Sequence, residues 1–181
     1  MTFMLTCHPN TPTDIVDGIE VSHEWRTSNR LWLRYAVRSS PRDLFIPDLA
    51  PPERMDDLWH TTCFELFLRE PSAAPYCEFN LSPSSRWAAY GFTDFREGAH
   101  DMNVPNAPEI GLDASEDHFA LQAILTLPDD RVFPELAAAI SAIVVTADGH
   151  KSFWGYRHPD GDPEFHHTDC FAARLHPPEI A

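Results

Sequence analysis

Short runs in which apolar and polar residues alternate recur along the chain, separated by turn-forming residues. In the run 63–69, Phe64, Leu66 and Leu68 share one side, and polar residues are interleaved with them on the other. A period of two is typical of a β-strand that buries one face. The other runs that predict strands are 18–25, 31–38, 76–82, 86–92, 118–127, 141–147, 152–158 and 168–175. One short helix is predicted over 134–140, because proline occupies its first turn.

This spacing indicates an all-β fold. About nine or more short strands at intervals of roughly 8–12 residues, with almost no helix, are typical of an antiparallel β-sandwich. Helices of ten or more residues between strands, which a parallel α/β sheet needs, are missing. The 17 prolines among 181 residues also favour short segments joined by turns. We expect a single domain over residues 1–181, with its core at about 19–175.

The charge balance narrows the choice of partner. Thirteen Lys and Arg residues stand against 28 Asp and Glu residues, which gives a formal net charge of −15. Binding to phosphate groups requires a stripe of basic residues, and the basic residues here are scattered singly. We therefore expect neither nucleic acid nor an anionic membrane as a partner. The oligomeric state is left open by the sequence.

The N-terminal residues and the cysteines predict a compartment. Residues 1–17 contain no lysine or arginine and no apolar stretch of the length found in secretory signals. No segment approaches the length of a membrane span. The four cysteines, Cys7, Cys63, Cys77 and Cys170, show no CxxC spacing. We expect a cytoplasmic protein with free thiols.

Two adjacent runs place polar side chains together. If 63–69 and 76–82 pair with their apolar sides in the core, Glu65, Glu78, Asn80 and Tyr76 form a patch on the opposite face. Carboxylates and amides bind pairs of sugar hydroxyls, and aromatic rings cover the apolar faces of a pyranose. The patch therefore fits a sugar site. An ordinary solvated sheet face is the alternative interpretation.

Two other kinds of site are left open as alternatives. His158 and His166 flank the turn-forming pair Asp160-Gly161, so a haem or metal site near the C-terminus is one alternative, although no zinc-type spacing occurs. Glu65 and Glu78 on neighbouring strands could also act as the carboxylate pair of a glycoside-processing enzyme. We expect no cofactor and no catalytic residue.

Several segments together carry a family resemblance. The segments 58–67, 76–84, 87–90, 154–159 and 163–167 resemble bacterial DOMON-like proteins, which are related to the family-nine carbohydrate-binding modules. The resemblance implies an antiparallel β-sandwich that binds a sugar, or in some relatives a haem, on one sheet or at its rim. Haem-binding relatives use Met and His as axial ligands, and the methionines of this chain lie outside the matching strands.

The resemblance also implies a set of ligand-binding residues. Sugar-binding modules of the family use tryptophan stacking together with hydrogen bonds from Glu, Arg and Asn side chains. We therefore predict a non-catalytic, saccharide-binding domain. Its predicted ligand-binding residues are Trp59, His60, Glu65, Glu78, Asn80, Trp87, His158 and His166. Of these, the three histidines are expected at the rim of the site.

Overall fold

The computed structural model describes residues 2–129 and 133–178, and these contain twelve strands and no α-helix. All the pairings between these strands are antiparallel. The prediction of an all-β antiparallel sandwich is confirmed. The strands are β1 (Thr2–Cys7), β2 (Gly18–Trp25), β3 (Arg30–Arg38), β4 (Cys63–Arg69), β5 (Tyr76–Leu81), β6 (Trp87–Phe92), β7 (His100–Asp101), β8 (Glu109–Ala114), β9 (His118–Thr126), β10 (Leu136–Val145), β11 (Lys151–Gly155) and β12 (Ala173–Leu175).

The strands form two sheets that share β1. One sheet has the order β1-β2-β3-β9-β8, and the other has the order β7-β6-β5-β4-β10-β11, with β12 also paired to β10. The first half of β1 pairs with β2, whereas Thr6 and Cys7 pair with β11. Strand β1 therefore closes one side of the sandwich.

The inner faces of the two sheets enclose the main hydrophobic core. From β4 and β5 this core receives the residues that the alternation predicts: Phe64, Leu66, Leu68, Cys77, Phe79 and Leu81. Strands β3 and β9 supply Leu31, Leu33, Phe119 and Leu121 from the facing sheet. Because alternate residues of a strand point to opposite faces, Glu65, Glu78 and Asn80 lie on the outer face of β4 and β5.

The predicted helix over 134–140 is wrong. Leu136–Val145 is a strand in which every residue is buried. Alanine at positions 137–139 has a high intrinsic helix propensity, but β10 lies between β4 and β11 and is covered on both faces. Small side chains suit that position, and tertiary packing overrides the local preference.

The remaining differences concern the ends of the chain and the irregular region 93–117. Only Ala173–Leu175 of the predicted strand 168–175 is a strand, and Thr168–Cys170 is a 3-10 turn. The short or exposed strands β1, β7 and β8 were not predicted. None of the four cysteines, all of which lie in the described residues, forms a disulfide. Within residues 2–129 and 133–178, no helix is long and apolar enough to cross a membrane.

One buried hydrogen bond ties the two sheets together. The Tyr35 hydroxyl, on β3, donates to the Glu65 carbonyl oxygen on β4 at 2.8 Å. We expect Tyr35→Phe to lower the free energy of unfolding by about 1–2 kcal/mol, because the carbonyl loses its buried partner. Urea denaturation measures this loss. Tyr156→Phe is the control and should change stability by less than about 0.5 kcal/mol, and an equal loss in both variants would contradict the assignment.

Candidate ligand-binding site

A cavity of about 740 Å³ lies over the outer face of β4, β5 and β6. Its floor is formed by Glu65 and Phe67 of β4, Glu78 and Asn80 of β5, and Tyr90 of β6. The walls are completed by residues 56–59, 96–101 and 163–166, together with Ile143 of β10 and Phe153 of β11. The volume lies in the range of small-molecule sites, roughly 300–1,000 Å³.

The C-terminal segment makes this face part of the interior. Phe165, Cys170 and Phe171 pack with Phe67 and Tyr76 in a second hydrophobic cluster on the outer face. Only 4% of Glu65, 7% of Glu78 and 2% of Asn80 is therefore exposed. The alternative interpretation of this face as an ordinary solvated surface is wrong.

The polar floor is held by short hydrogen bonds. Glu65 and Asn80 are directly opposite each other in the β4–β5 ladder, and Glu78 lies opposite Tyr90 in the β5–β6 ladder. The Ser141 hydroxyl donates to Oε2 of Glu65 at 3.0 Å, and the Asn80 amide donates to Oε1 of Glu78 at 2.8 Å. These bonds fix the orientation of both carboxyl groups.

Burial makes the two carboxyl groups unusual acids. Burial and, secondly, the charge of Glu78 raise the pKa of Glu65 to about 8. Burial likewise raises the pKa of Glu78 to about 7, against the effect of the Asn80 hydrogen bond. Near neutral pH the pair therefore retains protons that ordinary glutamates have lost.

A network anchored by Arg96 forms one wall. The Arg96 guanidinium donates two hydrogen bonds of 2.9 Å to the Glu164 carboxylate, which also accepts the backbone N–H of His166. Burial raises the pKa of Glu164, but the hydrogen bonds from Arg96 and His166 outweigh it, so the net shift is downward. The ion pair of Arg96 and Glu164 thus fixes the wall, and the charge of Arg96 is balanced by Glu164.

His166 reaches the floor from this wall. Its Nδ1 lies 2.7 Å from the Tyr76 hydroxyl, and its Nε2 lies 3.8 Å from Oε2 of Glu78. Burial lowers the pKa of His166 to about 4, so the ring is neutral near pH 7. The Tyr76 hydroxyl accepts the Arg96 backbone N–H, which leaves its own proton for Nδ1. This favours the tautomer with a proton on Nε2, facing Glu78.

Aromatic rings surround the polar floor. Trp59, which is 44% exposed, stands at the rim, with the Lys151 ammonium 5.7 Å from the centroid of its ring. The Tyr90 hydroxyl donates to Asp56 at 2.5 Å. The other aromatic side chains that line the cavity are Phe67, Phe92, Phe153 and Phe165.

The structure brings together five of the eight predicted site residues. The cavity is lined by Trp59, Glu65, Glu78, Asn80 and His166. His60 is not among the lining residues, although its ring lies 3.8 Å, centroid to centroid, from that of Trp59.

Trp87 and His158 lie elsewhere. Trp87 is opposite Leu81 in the β5–β6 ladder, so its side chain points into the core between the sheets. The aromatic residues of β6 that face the cavity are Tyr90 and Phe92. The ring of His158 contacts that of His8, with 4.8 Å between the two ring centroids, and Nε2 of His158 lies 2.8 Å from the Thr6 carbonyl oxygen. His158 and His166 therefore have separate surroundings.

No group of three or more His, Cys, Asp or Glu side chains in residues 2–129 and 133–178 is arranged to hold a metal ion. The histidines considered for a metal or haem site are instead hydrogen-bonded individually, His158 near the Thr6 carbonyl and His166 near the Tyr76 hydroxyl.

Apart from Trp59 and His166, the wall residues of the cavity were not predicted from the sequence. Arg96 and His100 belong to the irregular region 93–117, and Ile143 and Phe153 come from strands far along the chain. The density of aromatic and histidine residues at 165–167 was the available signal that this segment packs against the sheet. No local pattern indicates which face it covers.

Comparison with known proteins identifies the fold. None of the protein-family models compared with the chain matches it, and no curated protein matches it. Two solved structures are similar over most of their length. One is a Bacteroides uniformis protein for which carbohydrate binding is suggested, with a TM-score of 0.61, 14% identity, and coverage of 97% of this chain and 85% of that chain.

The other structure is a family-nine carbohydrate-binding module from Caldicellulosiruptor kristjanssonii in complex with glucose. Its TM-score is 0.55, its identity to this chain is 11%, and the alignment covers 94% of this chain and 81% of the module. At such low identity the similarity concerns the fold. The chain therefore has the β-sandwich fold seen in these two proteins.

Proposed function

We propose that this protein binds a saccharide, without chemical conversion, in the cavity over the outer face of β4, β5 and β6. The observation that carries the proposal is the combination of a buried carboxyl–carboxyl–amide floor, from Glu65, Glu78 and Asn80, with aromatic side chains at the walls and rim. Directed acceptors and apolar rings in one cavity match the two surfaces of a pyranose.

The two structural neighbours support the same ligand class. One is a module in complex with glucose, and the other is a protein for which carbohydrate binding is suggested. The resemblance of the sequence to the DOMON-like group adds to this proposal.

In the proposed complex the rings contribute contact area and the floor sets the orientation. Trp59 at the rim stacks on one face of the sugar, while Glu78 and Asn80 accept or donate hydrogen bonds to its hydroxyls. Each such bond replaces one made with water, so hydrogen bonding contributes less affinity than stacking. We expect modest affinity for a monosaccharide.

Removal of the rim ring tests the stacking contribution. We expect Trp59→Ala to weaken saccharide binding about tenfold or more, because the open rim then leaves the apolar face of the sugar in water. Isothermal titration calorimetry with a panel of mono- and disaccharides measures the change. The control is Phe45→Ala, since Phe45 is 46% exposed and lies outside the cavity. Unchanged binding in Trp59→Ala would contradict the proposed rim, and no binding of any sugar by wild type would overturn the function.

A second candidate function rests on the paired carboxyl groups. Glu65 and Glu78 have pKa values raised to about 8 and about 7, and an acid protonated near neutral pH is what glycoside hydrolysis requires of one member of a carboxylate pair. Release of the aryl group from nitrophenyl glycosides tests this activity. Turnover that disappears in Glu78→Gln would support it, and absence of turnover for both α- and β-linked substrates would exclude it for that substrate class.

A further inference from the structure

The lining of the cavity has a strong imbalance of charge. Among residues 2–129 and 133–178, five carboxyl side chains line it, whereas Arg96 is the one lysine or arginine side chain in the lining. The carboxyl groups are those of Asp56, Asp57, Glu65, Glu78 and Asp101. Near neutral pH Glu65 and Glu78 are partly protonated, but Asp56, Asp57 and Asp101 still outnumber Arg96. An anionic ligand such as a uronic acid or a sugar phosphate would therefore meet net repulsion in this cavity.

The cationic groups around the cavity are already engaged. Arg96 is held by Glu164 through two hydrogen bonds, and Lys151 donates to the Trp59 carbonyl oxygen at 3.3 Å. Nε2 of His166 lies 3.8 Å from Oε2 of Glu78, but this ring is neutral near pH 7. In the described residues, therefore, no lysine or arginine is hydrogen-bonded to the carboxylate of Glu65 or Glu78.

A buried acceptor on the floor has no partner. Oδ1 of Asn80 is inaccessible to solvent and makes no hydrogen bond, although the Asn80 amide nitrogen donates to Glu78. Leaving a buried acceptor unpaired is unfavourable, so a ligand whose donor reaches this oxygen after a small rotation of the Asn80 side chain, which lines the cavity, is favoured. Together with the two carboxyl groups, this oxygen makes the floor a surface of acceptors.

We propose that the saccharide recognised here carries a protonated amino group, which lies over Glu78 and Asn80. This inference rests on the proposed saccharide-binding function and specifies its ligand class. An ammonium group offers three donors and a positive charge. It therefore meets both needs of the floor, a donor for Oδ1 of Asn80 and a counter-charge for the carboxyl pair.

Proton release on binding is a second measurement that tests this inference, because Glu65 and Glu78 lie among other titratable groups. Around Glu65 and Glu78 lie Arg96, Glu164 and His166 of the wall and Ser141 of β10. The other titratable groups that interact with the pair are Tyr35 of β3, Cys63 of β4, Tyr76 of β5 and Tyr90 of β6. A bound ammonium favours the ionised form of both carboxyl groups. Binding of an amino sugar should therefore release protons, and the calorimetric heat should vary with the ionisation enthalpy of the buffer.

Four sugars with the same ring size distinguish the outcomes: glucosamine, N-acetylglucosamine, glucose and glucuronate. Calorimetry near neutral pH should show glucosamine binding about tenfold tighter than glucose or N-acetylglucosamine. Glucuronate should bind most weakly of the four. In Glu78→Gln the preference for glucosamine over glucose should fall to about twofold or less, since the amide keeps the shape but lacks the charge.

The controls separate failure of this inference from failure of the proposed function. Glu20→Gln, on the exposed side of β2, should retain the full preference. Glu65→Gln supplies a second variant if Glu78→Gln does not fold. Equal or tighter binding of glucose than of glucosamine by wild type would overturn the amino-sugar inference and leave saccharide binding intact. Failure of all four sugars to bind would overturn both.

Discussion

The free energy of unfolding of this protein should fall as the pH rises from about 6.5 to about 8, and Glu65→Gln should remove most of that fall. The side chain of Glu65 has an ordinary pKa of 4.5, and in the folded protein burial raises its pKa to about 8. Between these values the folded state binds more protons than the unfolded state, so unfolding becomes easier as the pH rises. Glu78, with a pKa of about 7, acts in the same direction at the lower end of this range.

The pH range above 6.5 is chosen because of His166. Burial lowers the pKa of the His166 ring from 6.5 to about 4. His166 therefore makes the free energy of unfolding rise with pH below about 6.5 and has no effect on its pH dependence above that value. Above pH 6.5, each pH unit over which Glu65 stays protonated in the folded state lowers the free energy of unfolding by about 1.4 kcal/mol. The expected fall for wild type is therefore about 2 kcal/mol.

Urea denaturation at a series of pH values checks this result. Glu65→Gln keeps a polar partner for Ser141 and carries no charge at any pH, so it should be more stable than wild type near pH 9. Glu20→Gln, on an exposed position of β2, should follow the wild-type profile. A wild-type stability that is flat or rising between pH 6.5 and 8 would contradict the buried carboxyl pair.

Phe64→Ala should cost about 3–5 kcal/mol of stability. Phe64 is fully buried between the sheets, with its ring centroid 5.0 Å from that of Tyr35 and 6.4 Å from that of Phe119. Removal of the ring opens a cavity between two sheets that are held apart by other side chains, so little collapse can fill it. Thermal and urea unfolding measure the loss.

The same variant tests whether one face of β4 serves the core and the other face serves the ligand cavity. Phe64 points into the core, whereas Glu65 points into the ligand cavity. At a temperature where Phe64→Ala is still folded, its affinity for sugars should be within about twofold of wild type, since the Phe64 side chain lies on the face of β4 opposite the cavity. Phe45→Ala, at an exposed position, is the control for stability. A loss below about 1 kcal/mol in Phe64→Ala would contradict the packing described.

The alternation of residues was sufficient to predict the fold and the floor of the site. Strand β4 begins and ends at the predicted residues, and the polar side of 76–82 carries Glu78 and Asn80 onto the outer face. Period-two patterns give this information because side-chain direction along a strand is set by local geometry. The first half of β10 was missed, since its alanines have no alternation and favour a helix in isolation, whereas the predicted strand 141–147 overlaps its second half.

The burial of the site residues could not be predicted from the alternation of residues. Glu65 and Glu78 read as surface residues in the sequence, and they are buried because the aromatic residues near 165–171 pack across the sheet. Trp87 was the predicted site residue of this strand, and only the β5–β6 register shows that Tyr90, not Trp87, faces the cavity. Contacts between residues so distant in the chain leave no local periodic signal.

Chemical-shift mapping by NMR with glucose and glucosamine tests the central claim most directly. We predict that saturating sugar shifts the backbone amide resonances of Glu65, Glu78, Asn80 and Tyr90, and the indole resonance of Trp59, which all line the cavity. The amides of β2 and β8, in the other sheet, should not move. Shifts confined to that other sheet, or no shift with either sugar, would contradict a saccharide site on the outer face of β4, β5 and β6.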